Sequence, residues 1–441
     1  MKRIYTLLPV LLILSVTAGS QPIMKFDFGP GKVATGFTQV LPETLYNDEK
    51  GYGFEFSTAL QSGSYTGKDA LKNDFITSGK PFFFSVKVPE GNYKVKVTLG
   101  DSKGISKTTI KAECRRLMVE GVETAKGKFV TETFIVHVRD SIIRPGGNKV
   151  RLKPRELGYL HWDHKLTLEF SNAAPKICAV EITPVSNATQ VFLAGNSTVV
   201  DQAYEPYASW GQIIPAFFKG EKIAVANYAE SGETLKAFKG ERRLDKIWSM
   251  AKPGDYLFIE FAHNDQKPGG NHLDPFTTYK ETVKDWIAEA QRRGMIPVLV
   301  TSMNRRTFDS SGRITNSLGD YPEAIRQTGR EENVPVIDLN AMSKLLYEAL
   351  GPVPAMKAFV HYPANSFPNQ PKALSDDTHF SPYGAYQLAK CVVIGIQQQV
   401  PALAKHLKRD LPAYDPARPD PPAAFQLPVS AFVGAVKPDG N

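Results

Sequence analysis

Three cysteines in 441 residues, Cys114, Cys178 and Cys391, are too few to staple a disulfide scaffold. Cys114 and Cys178 fall in the same half of the chain and are free to pair in an oxidising compartment. Cys391 lies in an apolar helical run and reads as a buried thiol. Beyond the first twenty residues no apolar run approaches the length of about twenty that a membrane-spanning helix needs. Internal repeats are lacking, which argues against solenoids and propellers. The arginine pairs at 242 and 243, 292 and 293, and 305 and 306 are scattered through the second half of the chain. They form no recognisable nucleic-acid-binding module.

What is present points to a globular protein. The hydrophobic share of 42% and charged share of 22% exclude a disordered or fibrous chain. The length favours two domains over one core. MKRIYTLLPVLLILSVTAGS opens the chain with Lys2 and Arg3, a short apolar run, then small residues at Ala18, Gly19 and Ser20. This is the layout of a cleavable secretory signal over residues 1–20, with an uncleaved anchor as the alternative. A secreted or periplasmic protein is the expectation. The formal charge of +8, two units of which belong to the leader, suits an acidic polymer as partner and equally suits simple solubility.

Two rhythms divide the remainder. Residues 21–185 hold short alternating segments, PFFFSVKV, NYKVKVTL, KFVTETFIVHV and KLTLEF, broken by Gly, Asn, Asp and Pro. Period-two alternation of this kind predicts an antiparallel β-sandwich. In residues 186–408 the strand candidates VFLA, IAVANYA, YLFIEFA, IPVLVTS and VPVIDL alternate with helical segments such as TLKAFKGERRLDKIW, FTTYKETVKDWIAEAQRR and YPEAIRQTGREE. That order predicts an α/β unit of three layers around a parallel sheet. The linker is placed in TPVSNAT at 183–189. A Pro-rich tail, residues 409–441, is expected to run extended over the surface.

Chemistry-bearing residues gather at the predicted strand ends, where such sheets place their sites. AGNSTVVDQ puts Ser197 on a turn after the first strand, and NYAESGETLKAF puts Gly232 where the chain enters a helix. FIEFAHNDQK presents His263, Asn264 and Asp265, and SDDTHFSPYGAYQLA sets His379 three residues after Asp376.

These four blocks, in this order, resemble the SGNH or GDSL hydrolase superfamily. The fuller set, with VLVTSMNRR and LGDYPEAIRQ added, is similar to the rhamnogalacturonan acetylesterases of carbohydrate esterase family twelve over roughly residues 190–400. FDFGPG and VTLGDS in the first half resemble an attached galactose-binding-like domain. The resemblance implies a flavodoxin-like SGNH fold and a carbohydrate acetylesterase that needs neither metal nor other cofactor. It implies Ser197 as nucleophile, His379 as general base and Asp376 as the residue that orients the imidazole. It also implies an oxyanion hole made by the backbone N–H groups of Ser197 and Gly232 and the side-chain amide of Asn264. Asp377 is the alternative orienter. His263 is either a structural loop residue or part of the cleft. Lys267, Arg305 and Arg306 follow strand ends, where they are candidates to meet uronate carboxylates. Two positions depart from the family pattern: Asn196 stands where Asp is usual, and Ala262 where Gly is usual.

A decoy lies at 100–104, where GDSKG satisfies G-x-S-x-G. That motif needs a parallel strand before the serine and a helix after it. Alternating segments flank it on both sides, so Ser102 is read as part of a hairpin turn. The substrate expected is an acetylated polysaccharide, first of all a pectic one. Another glycan such as xylan, or a carbohydrate-binding protein with weakened catalysis, are the alternatives.

Overall fold

The computed structural model describes residues 22–56, 58–434 and 437–439. The predicted leader lies outside the described residues. No helix among the described residues is long and apolar enough to cross a membrane.

The first half is a sandwich of two sheets. One runs Phe129–Val138, Gly91–Gly100, Lys176–Pro184, Met24–Phe28, Thr38–Val40, with Asp74–Thr77 and Gln61–Ser64 attached. The other runs Tyr52–Glu55, Phe82–Lys87, Lys165–Ala174, Ser106–Ala112, Arg116–Thr124. Alternation decides which side chains face in: Tyr93, Val95, Val97 and Leu99 are buried while Lys94 and Lys96 point to solvent. The inward side chains meet an aromatic core in which Phe28, Phe54, Phe82 and Phe84 stack edge to face. Each such buried side chain contributes roughly 1.5–3 kcal/mol of transfer free energy. Pairing is antiparallel except between Met24–Phe28 and Thr38–Val40.

The turn at 101–105 is not the hairpin expected. Gly91–Gly100 pairs with strands of one sheet and Ser106–Ala112 with strands of the other, so the segment arches between sheets. Both strands bury an apolar face toward the same core, and alternation alone does not say from which side. The three cysteines are buried and free. Cys114 and Cys178 do not pair because each sits in a different layer, Cys114 before the strand Arg116–Thr124 and Cys178 within Lys176–Pro184.

The second half is built on a five-stranded parallel sheet in the order Ile223–Asn227, Thr189–Gly195, Tyr256–Glu260, Ile296–Val300, Val336–Ile337. Its strands are apolar on both faces and feed two cores. Val191, Leu193, Phe258 and Val298 pack with Trp210 and the helix Pro382–Gln399 on one side. Phe192, Ala194, Leu257 and Leu299 pack with Phe238, Trp286 and Tyr321 on the other. The helical segment 234–248 holds two helices, Leu235–Gly240 and Arg243–Met250, separated by Arg242 at φ +63°.

The two halves meet at a seam of buried charge. Arg116 holds Asp201 at 2.8 Å, Lys111 approaches Glu205 at 3.7 Å, and Arg115 and Glu205 are 2.6 Å apart. Lower on the seam Arg243 meets Glu156 at 2.5 Å and Lys246 meets Glu90 at 2.5 Å. In the described part of the tail the short turn Pro422–Ala424 interrupts irregular chain, and the segment anchors to the sandwich. Lys111 Nζ donates to the Pro428 carbonyl at 2.8 Å and Ser430 Oγ donates to Glu169 at 2.8 Å. Phe432 packs edge-on against Phe56 and Phe83, bringing the chain back to the seam.

Candidate active site

Ser197 follows the strand Thr189–Gly195 on a tight turn. The Asn196 carbonyl accepts from the amides of Val199 and Val200, both at 3.0 Å, and its side-chain oxygen accepts from Thr198 N and Oγ1 at 3.1 and 2.8 Å. The amide of Asn196 therefore does locally what a carboxylate would do as acceptor, without the charge. Below the turn Glu260 is sealed from solvent and accepts from Ser302 Oγ at 2.8 Å, Trp210 Nε1 at 3.1 Å and Thr198 Oγ1 at 3.2 Å. Burial outweighs those hydrogen bonds and pushes its carboxyl up to about 7.

His379 reaches the same point from the far end of the chain. The antiparallel pair Phe359–Tyr362 and Leu374–Phe380 carries it to the carboxyl edge of the sheet. Its Nε2 lies 2.9 Å from Ser197 Oγ and its Nδ1 lies 2.7 Å from Asp376 Oδ2. The other Asp376 oxygen accepts from the amides of Thr378 and His379 at 2.9 and 3.0 Å. Burial alone would raise this carboxyl, but the hydrogen bonds and the charge of His379 hold it down at about 2. Asp377 points elsewhere, to His361 Nε2 at 2.7 Å and Arg306 Nε at 2.5 Å.

Gly232 stands at φ +83°, a conformation that side-chain-bearing residues avoid. Asn264 Nδ2 donates to the Glu233 carbonyl at 3.1 Å, and Lys267 Nζ donates to Asn264 Oδ1 at 3.0 Å. One N–H of the amide is so engaged, which fixes the plane of the group and leaves the second for a ligand. Ala262 adopts φ +147°, so the residue that replaces glycine keeps a glycine-like backbone.

The structure joins Ser197, His379 and Asp376 by hydrogen bonds, and it sets Gly232, Asn264 and Lys267 together on the wall of one cavity. His263 is buried, and its imidazole pKa is pushed well below the usual histidine range by burial, with Arg305 adding to it. It lines neither cavity beside the site. Arg305 donates to the carbonyls of Ser317 and His263 at 3.1 and 3.3 Å, and Arg306 is tied to Asp377 and to the Pro352 carbonyl. Neither arginine lines the two cavities.

Several residues around the site escaped sequence reasoning. Gln202 Nε2 donates to the Ser197 carbonyl at 2.8 Å, and Arg115 of the sandwich donates to the carbonyls of Gln202 and Tyr207 at 3.0 and 2.9 Å. Arg116 grips Asp201, whose other oxygen accepts from Asn227 Nδ2 at 2.8 Å. Lys153 and Arg155, also from the sandwich half, hold the turn around Gly232. Lys153 Nζ donates to the Ser231 carbonyl at 2.7 Å, and Arg155 Nη2 donates to Glu230 and to Ser231 O at 2.9 and 2.8 Å. Glu260 alone had a visible signal, an acid inside the apolar run YLFIEF.

A hydroxyl hydrogen-bonded to an imidazole that is in turn hydrogen-bonded to a carboxylate, on the carboxyl edge of a parallel sheet, has the parts of an activated nucleophile for acyl transfer. Fold and site together define a carboxylic ester hydrolase. The model of the GDSL-like lipase/acylhydrolase family matches residues 193–386, and that of the β-agarase/YXIM esterase-like, galactose-binding-domain-like family matches residues 24–143. A rhamnogalacturonan acetylesterase of Bacillus subtilis, RhgT, is 44% identical over 220 residues, 49% of this chain and 94% of that protein. The uncharacterized esterase YxiM of the same organism is 29% identical over 350 residues, 77% of this chain and 84% of its own. The crystal structure of YxiM aligns over 86% of this chain and 98% of that one at 25% identity, with a TM-score of 0.45. The chain belongs to the GDSL-like (SGNH) acylhydrolase family and carries an N-terminal galactose-binding-like domain.

Proposed function

We propose that the chain is an exported acetylesterase that removes O-acetyl groups from a pectic polysaccharide of the rhamnogalacturonan type. The observation that carries the reading is the line Asp376, His379, Ser197, with separations of 2.7 and 2.9 Å. In this reading His379 Nε2 takes the proton of Ser197 Oγ as the oxygen attacks the acetyl carbonyl, then returns it to the departing sugar oxygen. Asp376 stays ionised, as its low pKa requires, and stabilises the imidazolium. The tetrahedral oxyanion is received by the amides of Ser197 and Gly232 and the second N–H of Asn264. Water then repeats the cycle on the acetyl-enzyme and releases acetate.

The pectic substrate draws on the relative RhgT, named a rhamnogalacturonan acetylesterase, and on the cations at the cleft rim. Export draws on the leader layout of residues 1–20. The decisive experiment measures acetate release from acetylated pectic fragments beside acetylated xylan, for the parent and for Ser197→Ala. Preference for the pectic fragments, lost in the variant, supports the reading. Equal or better turnover of xylan overturns the substrate, and an active Ser197→Ala overturns the mechanism.

A further inference from the structure

Arg155 has more donors than its structural role uses. Its Nε and Nη2 are fixed by Glu230 Oε1 at 3.2 and 2.9 Å and by the Ser231 carbonyl at 2.8 Å. The guanidinium is thereby clamped in one plane, with its Nη1 turned outward. That Nη1 donates to the carboxylate of Asp439, which comes from the chain's own tail. The Asp439 side chain is 66% exposed and Arg155 30%.

The outward edge of Arg155 faces a cavity of about 380 Å³, walled by Tyr159, Tyr204, Tyr207 and Ser231 together with the tail residues Lys437–Asp439. Its volume is within the range of roughly 300–1,000 Å³ usual for ligand pockets. The Tyr207 ring stands edge-on to the His379 ring with centroids 5.9 Å apart, so the cavity opens beside the proposed proton path. A second cavity of about 370 Å³ lies across Gly232, with Lys153, Asn264 and Lys267 on its wall. Asp439 lines both. It sits over the Gly232 turn, 3.3 Å from where a glycine-to-alanine methyl would project.

A guanidinium held in one orientation, with its Nη1 as outward donor beside tyrosine rings, suits an anionic oxygen on a ring whose C–H face can rest on an aromatic surface, as the Asp439 carboxylate on Nη1 already shows for the anion. We propose that this cavity is a uronate subsite, with Arg155 as the carboxylate anchor, and that Asp439 on its wall holds the outward donor of Arg155 as an internal stand-in which an acidic glycan displaces. The inference rests on the acetylesterase reading and deepens it. It names a substrate unit carrying a carboxylate next to the acetylated residue, and it takes that unit's anchor from the sandwich half rather than from the α/β half. A neutral glycan offers Arg155 no anion and leaves Asp439 in place.

The test uses unacetylated trigalacturonate and xylotriose as inhibitors of p-nitrophenyl acetate hydrolysis by the full chain, so it does not depend on which polymer is deacetylated. Trigalacturonate is expected to inhibit competitively at low salt, and xylotriose to inhibit far less. Asp439→Asn removes an exposed ionic competitor and should tighten trigalacturonate by about two- to fivefold, with xylotriose unmoved. Arg155→Lys keeps the charge beside Glu230 but loses the clamped, outward-facing Nη1 donor, and should weaken trigalacturonate. Circular dichroism and melting of the same sample establish that the variant is folded. Equal inhibition by the two sugars overturns the subsite. So does an Asp439→Asn variant that leaves trigalacturonate unchanged or tightens both sugars alike, because the tail would then be only a steric strap. Should the pectic fragments of the earlier assay fail as substrates while trigalacturonate still competes, the substrate reading falls and the subsite stands.

Discussion

The sandwich and the α/β half bury charge in opposite ways. Inside the α/β half, buried ionisable groups gather around the proposed site, with Asp376 beside His379, Glu260 under the Ser197 turn, and Glu230 and Glu233 flanking the turn at Gly232. The sandwich core is apolar and aromatic, and much of its buried charge faces outward, across the seam. Arg116, Arg115 and Glu156 find Asp201, Glu205 and Arg243 only in the other half. With both halves docked these groups lie buried, where a charge without its counter-charge is costly, so the pairing across the seam is what makes the docking tolerable. The first half is thus less a removable module than a brace for the Ser197 turn, with Lys153 and Arg155 on the walls of the neighbouring cavities.

The contrast is broken most strongly at the catalytic edge. Ser197→Ala and His379→Ala should each lower kcat/KM by about 10,000-fold or more, and the double variant should lose little beyond either, because both serve one proton path. Steady-state hydrolysis of p-nitrophenyl acetate measures it, and losses that multiply would contradict a shared path. Asp376→Asn should fall nearly as far while Asp377→Asn, whose carboxylate serves Arg306 and His361, should change the rate only slightly.

The seam comes next. Arg116→Met deprives buried Asp201 of its hydrogen-bonded counter-charge, leaving Asn227 and the charge of Arg139 to support it, and should destabilise the protein by about 3 kcal/mol. Urea melts read this directly. Adding Asp201→Asn should recover a large part of the loss, since the penalty belongs to the orphaned charge. If Arg116→Met costs no more than a surface arginine does, the seam is not a brace and the two halves are independent.

How much of this was legible in the sequence follows from the range of each signal. Strand ends carrying Ser197, Gly232, Asn264 and His379 were visible because each sits in a local pattern of apolar run, turn and helix. Spacing alone leaves Asp376 and Asp377 both open as partner of His379; the family resemblance favours Asp376, and only the folded turn shows its side chain capping two amides while meeting the ring. The arch at 101–105 was misread because period-two alternation gives the buried face of a strand and not its sheet. Arg116 and Asp201 lie 85 residues apart, and nothing near either one announces the other. Arg305 and Arg306 were selected for their place after a strand, yet Arg306 is taken by Asp377, a partner 71 residues on. The cleft cation Arg155 came from a segment with no strand-end signal at all.

A smaller effect concerns pH. The Glu260 carboxyl has an ordinary value of 4.5 and is raised to about 7 in the folded protein by burial. Its proton is therefore held more tightly when folded, so its contribution is full below about pH 4.5 and is lost as pH rises through 7. That difference amounts to at most about 3 kcal/mol. Glu260→Gln removes the titration, and its melting temperature should be flatter than the parent's between pH 5 and 8. Asp376 works in the opposite sense, its stabilisation being present above its ordinary value of 3.8 and lost only as pH falls toward 2. Parallel pH profiles for parent and Glu260→Gln would show that Glu260 is not the titrating group.

The smallest effect tests the loop that presents Asn264. Ala262 holds φ +147° while its methyl group packs into the core formed by Phe238, Phe261 and Trp286. Two opposing changes follow from Ala262→Gly. Relief of a positive-φ conformation in an L residue is worth on the order of 1 kcal/mol or more, and loss of the buried methyl costs about 1 kcal/mol. The sum should leave stability within about 1 kcal/mol of the parent, whereas alanine-to-glycine changes at ordinary buried positions destabilise. Because Asn264 stands two residues away, any relaxation of the loop should appear in kcat more than in KM: the amide is asked to meet the oxyanion, not the ground-state carbonyl. A melting temperature well below the parent's would mean that the methyl packing outweighs the strain. The loop would then be held by its side chain rather than tolerated despite its backbone.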